Sequence, residues 1–218
     1  MKAYFIPGLA ADKRVFRHIQ LPEQFEPVFI EWVAPADQES LQQYAYRLAE
    51  QIDTSEPFIL IGLSFGGMLS VEIAKKYPPQ QCILIASIPN HHHLPTYYRI
   101  AYRIGLHKVI GVKFLKKAVY YKRYFTSESS EDKMMIREMA GETNPAFIRW
   151  AINAIIHWKT DDHDLVVDHI HGSSDYILPI SYTKATHTIP GAGHLMIFNR
   201  ADEINEILFS LLNKKSFV

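Results

Sequence analysis

Residues 58–63 read FILIGL, apolar throughout, and run directly into Ser64-Phe65-Gly66-Gly67. A strand that is apolar at every position needs cover on both faces, which a parallel sheet flanked by helices supplies. From Gly66 to Tyr77 the pattern is helical, with Leu69 and Ile73 one turn apart. Gly62 and Gly66 stand two positions either side of Ser64. A sharp strand-to-helix turn needs that spacing, because larger side chains would collide there. Such a turn presents the serine hydroxyl above the carboxyl end of the strand. The helix N-terminus behind it favours negative charge developing nearby.

The same alternation runs through most of the chain. Met1–Pro7 is predicted as a buried strand ended by Pro7-Gly8, and Glu26–Trp32 (EPVFIEW) as a second. Leu41, Tyr44, Ala45, Leu48 and Ile52 mark one face of a helix over Ser40–Ile52. Gln81–Pro89 (QCILIASIP) reads as another buried strand. Residues 90–160 have helical character and no strand. Leu165–Ile170 and Lys184–Ile189 are the last two strand candidates, and Glu203–Leu212 is a closing helix with Ile204, Ile207, Leu208 and Leu211 inward. The class is therefore α/β, a mostly parallel sheet of six strands with helices on both faces and right-handed crossovers. One domain is expected over residues 1–218, with a helical insert at 90–160.

Ligands of an open parallel sheet bind beyond the carboxyl ends of its strands. Two further loops fall there. His194 lies in Pro190-Gly191-Ala192-Gly193-His194, between the last strand and the last helix. Asp175 lies in His171-Gly172-Ser173-Ser174-Asp175, after the fifth strand. Of the other nearby acids, Asp161, Asp162 and Asp164 precede that strand, at the wrong end of the sheet, and Asp168 lies within it. The chain order is Ser, Asp, His.

With GLSFGG, HGSSDYILP, GAGHLMI and PGLAAD in place, the chain resembles the α/β-hydrolase superfamily over nearly its whole length, and within it small bacterial serine hydrolases. The resemblance implies the α/β-hydrolase fold, with residues 90–160 as its lid. It implies that Ser64 attacks a carbonyl carbon, that His194 shuttles the proton, and that Asp175 orients His194. The oxyanion donors would be the backbone N–H groups of Phe65 and Leu9. Many relatives carry His-Gly where this chain has Pro7-Gly8, which leaves Leu9 and Ala10 both open as the second donor. The family's usual first two strands are expected to be absent, since the PGL loop begins at residue 7. The implied activity is carboxylesterase on small or medium acyl esters. A thioesterase or C–C hydrolase would use the same residues, and a ligand sensor or partner-binding protein could retain them. A serine at residue 64 argues against haloalkane dehalogenase and epoxide hydrolase chemistry, whose members use an aspartate nucleophile there.

Composition narrows the partners. Lys+Arg and Asp+Glu each number 23, which argues against a general nucleic-acid binder. The lone Cys82 excludes an internal disulfide framework and a Cys-rich zinc site, and it reads as a small buried hydrophobe. No apolar run is long enough to span a bilayer, and MKAYFIPGLAADKR lacks the long apolar stretch of a secretory leader, so a cytoplasmic protein is expected. No cofactor is expected, and the oligomeric state is left open.

Ile73 to Ser127 holds no Asp or Glu but carries Lys75, Lys76, Arg99, Arg103, Lys108, Lys113, Lys116, Lys117, Lys122 and Arg123. Tyr97, Tyr98, Tyr102, Val109, Phe114, Leu115, Tyr120 and Tyr121 are interleaved with them. A solvated lid face is the leading reading, with attraction of anionic substrates or contact with an anionic membrane surface as alternatives. Ser129 and Asp132 have capping-box spacing, with Met135 and Met139 behind them. Phe147, Trp150, Ala151, Ala154, Ile155 and Trp158 form an apolar stripe, read as core with part available to an acyl pocket. No metal site is expected from Asp161-Asp162-His163-Asp164, from Asp168, His169 and His171, or from His91-His92-His93. Along a strand His169 and His171 face one side and Asp168 the other, and the His triplet is expected to be extended.

Overall fold

The computed structural model describes residues 1–104, 128–160 and 165–214. Its sheet has six strands: β1 (Lys2–Ile6), β2 (Glu26–Phe29), β3 (Phe58–Leu63), β4 (Gln81–Ile85), β5 (Asp168–Gly172) and β6 (His187–Ile189). Their order is β2-β1-β3-β4-β5-β6, and every pair is parallel. The class is α/β, with a wholly parallel sheet, as the alternation of strands and helices predicts. β3 is buried at every residue, as its unbroken apolar run requires. β2 is the largely exposed edge, where the missing N–H of Pro27 is tolerated.

The topology itself makes a binding crevice. After β1 the chain runs outward to β2, then returns across β1 to β3. The order reverses between β1 and β3, so their outgoing loops diverge to opposite faces and leave a cleft between the two carboxyl ends.

Helices α1 (Leu41–Leu48) and α2 (Phe65–Lys76) cover one face, where Leu41, Tyr44, Leu48, Leu69 and Ile73 pack on Tyr4, Ile6 and Leu60. A 3₁₀ turn at Lys13–Phe16 lies on the other face. Beyond β4 come α3 (Thr96–Arg103), α4 (Ser130–Glu142) and α5 (Pro145–His157), and the chain closes with α6 (Met196–Asn199) and α7 (Ala201–Lys214). Ile204, Leu208 and Leu212 of α7 are buried on the face that carries the 3₁₀ turn.

The helices between β4 and β5 divide between the two faces. Ile136 and Met139 of α4 join the core beside Val15 and Phe16. Phe147, Ala151 and Ala154 of α5 join the core under α1 and α2. The attachments are polar as well. Arg17 pairs with Glu131 at 2.7 Å and Asp132 at 2.9 Å, and Arg14 pairs with Glu142. Trp150 Nε1 donates to the Glu39 carbonyl at 2.9 Å, and Trp158 Nε1 donates to the fully buried Glu72 carboxylate at 2.7 Å.

Capping explains where several helices begin. Ser40 and Gln43 form a reciprocal capping box at α1. Asn144 caps α5, with Pro145 in the first turn, where a missing N–H costs nothing. At α4 the Ser129 hydroxyl accepts from the Asp132 N–H at 3.0 Å and donates to the Asp132 carboxylate at 2.6 Å.

Several boundaries differ from the sequence pattern. β2 ends at Phe29, short of Trp32, because its pairing with β1 stops at Phe5↔Phe29. β5 starts at Asp168 and runs through His171 and Gly172, three residues later than the apolar run Leu165–Val167 suggests. Pairing with β4 and β6 sets its limits, and it buries two histidines that apolar patterning does not score. β6 is only His187–Ile189. His91–His93 is a 3₁₀ turn capped by Asn90, not an extended run. Residues 108–123, with Lys108, Val109, Lys113, Phe114, Leu115, Lys116, Lys117, Tyr120, Tyr121, Lys122 and Arg123, lie outside the described residues, as do Asp161, Asp162, His163 and Asp164.

Candidate active site

Ser64 is the single residue between β3 and α2, and its backbone has φ 50° and ψ −116°. Positive φ is costly for a residue with a β-carbon, so the surroundings must hold it. The Ser64 N–H donates to the Ile85 carbonyl of β4 at 2.9 Å. The Ser64 carbonyl accepts from the Gly67 N–H at 2.9 Å and from the Ser87 hydroxyl at 2.6 Å. A β-carbon on Gly62 would lie 2.5 Å from the α-carbon of Gly67, so the strand can meet the helix this closely only through glycine.

His194 lies in the loop between β6 and α6. Its Nε2 is 2.9 Å from Ser64 Oγ, and its Nδ1 is 2.7 Å from Asp175 Oδ2. Asp175 sits in the loop after β5 with its side chain shut off from solvent. The N–H groups of Ile177 and Leu178 donate to its Oδ1 at 2.8 and 2.9 Å. Burial disfavours the ionised carboxyl. The hydrogen bond and charge of His194, the Leu178 N–H and nearby His171 nonetheless hold its pKa below the ordinary aspartate value. The two loops are sewn together where Ser174 N–H meets the Ala192 carbonyl at 2.9 Å and Ser173 N–H meets the Ile189 carbonyl at 3.1 Å.

The loop after β1 passes beside the serine. A β-carbon on Gly8 would sit 3.5 Å from the β-carbon of Ser64. The turn here closes through Ala11 N–H on the Gly8 carbonyl at 3.1 Å, a bond that uses neither the Leu9 nor the Ala10 N–H, and Ala10 has φ 63°. Phe65 opens α2, where first-turn N–H groups have no acceptor within the helix.

Apolar walls rise on the α1 side. Trp32 lies 5.7 Å from Phe65 and 5.3 Å from Phe147 between ring centroids, and its indole N–H donates to the Ala11 carbonyl at 2.7 Å. Trp150 packs 4.4 Å from Tyr44. Tyr98 of α3 reaches the acid loop, its hydroxyl donating to the Ile177 carbonyl at 2.9 Å.

Ser87 and Trp32 were not singled out by sequence reasoning. Each stands just past the carboxyl end of a strand, β4 and β2 respectively, and that position is the signal that could have found them. Among the described residues, no group of three or more His, Cys, Asp or Glu could hold a metal ion, and no helix is long and apolar enough to cross a membrane. Cys82 is buried in β4, and burial pushes its thiol up to about 12. A cavity of about 550 Å³ near Gln20 and Phe209 and one of about 210 Å³ near Gln81 and Leu165 are lined by none of Ser64, Asp175 and His194.

The model of the Alpha/beta hydrolase family matches residues 4–207. No curated protein matches the chain. Among solved structures, the esterase from Exiguobacterium antarcticum aligns with TM-score 0.77 at 15% identity, over 98% of this chain and 92% of that one. The Bacillus megaterium epoxide hydrolase, solved with an inhibitor, aligns with TM-score 0.75 at 12% identity, over 97% and 93%. The malate-bound thermophilic esterase from Thermogutta terrifontis aligns with TM-score 0.67 at 17% identity, over 98% and 90%. At these identities the likeness is one of fold.

Proposed function

The chain belongs to the alpha/beta hydrolase family, and from that premise we propose that it is a serine hydrolase cleaving small or medium carboxylic esters through an acyl-enzyme. The observation that carries this is one continuous contact path, Ser64 Oγ to His194 Nε2 at 2.9 Å and His194 Nδ1 to Asp175 Oδ2 at 2.7 Å. In this mechanism Ser64 Oγ bonds to the ester carbonyl carbon as His194 Nε2 takes its proton. The carbonyl oxygen becomes an oxyanion held by the N–H groups of Phe65 and Leu9. The bond to the leaving oxygen then breaks, and His194 returns the proton to the departing alcohol. Water repeats the sequence on the acyl-enzyme and frees the acid. Asp175 keeps Nδ1 protonated and stabilises the imidazolium.

Fold likeness spans esterases and an epoxide hydrolase, so it does not choose the chemistry. The serine at residue 64 favours acyl transfer. In the same proposal residues 1–218 act as one catalytic unit, and residues 90–160 serve as its lid. Half-buried Tyr98 of that segment, bonded to the acid loop, and the Trp32 ring against Phe65 and Phe147 support an apolar substrate. A fluorophosphonate probe should label the wild-type chain and not Ser64→Ala. Matched oxygen esters and thioesters of increasing acyl length should give multiple turnovers with a preference for the oxygen esters. Failure of folded wild-type protein to label would overturn the mechanism, a thioester preference would reassign the substrate, and a single turnover ending in a stable adduct would point to a sensor.

A further inference from the structure

Behind Asp175, two histidines are completely shut off from solvent. His169 and His171 occupy alternate positions of β5 and so share one face of it. His171 Nε2 is 2.7 Å from the Leu178 carbonyl oxygen, and its Nδ1 is 3.0 Å from His169 Nε2. A carbonyl can only accept, so His171 Nε2 carries the proton. Its Nδ1 in the neutral ring is then an acceptor, and His169 Nε2 must be the donor to it. His169 Nδ1 is left bare, and it is a buried atom with no hydrogen-bond partner. One tautomer of each ring satisfies these contacts.

Leu178 joins this pair to the site. Its carbonyl accepts from His171, while its N–H donates to Asp175 Oδ1 at 2.9 Å. The same His171 Nε2 lies 3.5 Å from Asp175 Oδ2, the oxygen that accepts from His194. We propose that His171, its tautomer set by His169, is a positioning residue that pins the acid loop through Leu178 and holds the Asp175 carboxylate in register with His194. This rests on the proposed roles of Ser64, His194 and Asp175.

Other groups act on the pair from neighbouring elements. Thr186 Oγ1 accepts from the His169 backbone N–H at 2.7 Å. The charge His171 would carry opposes protonation of His169, the backbone of Lys184 and Ser87 favours it, and His93, from the 3₁₀ turn after β4, adds a charge that would oppose it. His194 does the same to His171, while Asp175 and the Leu178 carbonyl favour its protonation. Burial dominates for both, keeping the rings neutral.

The two amide side chains separate the ring nitrogens. The amide nitrogen of glutamine falls near the place of Nε2, and that of asparagine near the place of Nδ1. His171→Gln should therefore keep the bond to Leu178 and stay within about threefold of wild-type kcat. His171→Asn should lose it and lower kcat by about 10- to 30-fold, with KM changed less than twofold. The His194 Nδ1–H proton, followed by NMR at low temperature, should remain downfield in His171→Gln and weaken or move upfield in His171→Asn. A merely structural His171 would alter stability without separating the two variants in kcat or in that resonance. Equal kcat and an unchanged resonance in folded His171→Asn would overturn the inference. If wild-type protein fails to label at Ser64, the mechanism falls, and the resonance comparison still decides whether His171 positions Asp175.

Discussion

A β-carbon placed on Gly66 would lie 2.1 Å from the carbonyl oxygen of Ile6, with the Pro7 carbonyl 2.4 Å away. Both obstacles are backbone at the end of β1, so neither can swing aside as a side chain would. Gly66→Ala must push α2 away from the sheet or displace the loop that carries Leu9. It is expected to destabilise the chain by about 3 kcal/mol or more. Chemical denaturation checks the stability, and the esterase rate of the folded fraction should fall with it.

Asp175→Asn leaves the shape of the acid loop but replaces the acceptor facing His194 Nδ1 with an amide that can donate. The imidazole then loses the tautomer needed to take a proton from Ser64. By analogy with the serine-protease triad, kcat should fall by about 10⁴. Circular dichroism should be unchanged, and stopped-flow acylation should locate the loss in the first chemical step.

Ser64 holds φ 50° with a β-carbon, a conformation that glycine adopts without strain. Ser64→Gly should abolish acyl-enzyme formation while stabilising the fold by about 1 kcal/mol, or about 2–4 °C in Tm. Ser64→Ala should abolish turnover without that gain, because it keeps the β-carbon. A Tm for Ser64→Gly below that of Ser64→Ala would contradict stored strain at this turn.

Burial, helped by the neighbouring His171, lowers the pKa of His169 to about 4. The unfolded chain binds a proton there near pH 6.5 and the folded chain does not, so stability contributed by this site is fully present above that pH. It should be lost as pH falls from about 6.5 to about 4, amounting to roughly 3 kcal/mol at the acid end. Lowered folded-state values at His171 and Asp175 act in the same direction. Urea denaturation at pH 7.5 and pH 4.5 should show the drop, and His169→Phe should flatten it.

Glu72 is fully buried, with Trp158 Nε1 on one oxygen and Gln42 Nε2 on the other at 3.1 Å. Trp158→Phe keeps most of the apolar contact but removes a donor to a buried carboxylate. A loss of about 2 kcal/mol is expected. Glu72→Gln in the Trp158→Phe background should recover part of it, since the remaining group carries no charge. Thermal unfolding of the two variants checks this.

Local chemistry made much of the architecture legible beforehand. FILIGL announces a strand covered on both faces, Leu41, Tyr44, Ala45 and Leu48 announce a helix face, and Gly62 and Gly66 announce a close strand-to-helix turn. The pattern was weakest where polar residues enter the core. His169 and His171 are buried in β5, yet apolar periodicity ends that strand at Ile170. The His91–His93 turn depends on the Asn90 side chain accepting from His92 N–H at 2.8 Å, a capping contact that a run of identical residues does not announce.

By itself, the order of residues determined which segments would be strands and helices, that the sheet would be parallel, and which loops would gather beyond its carboxyl ends. These follow from periodicity and turn sterics, which act over a few residues at a time, and from the right-handed crossover that each strand–helix–strand unit makes. Tertiary structure decided the register of β5, the division of α4 and α5 between opposite faces, and the tautomers of the buried histidine pair. The first two depend on pairing and packing with segments far away in the sequence, and the last on the acid loop folding back until the Leu178 carbonyl lies 2.7 Å from His171 Nε2. Direction along a hydrogen bond exists only once both partners are in place.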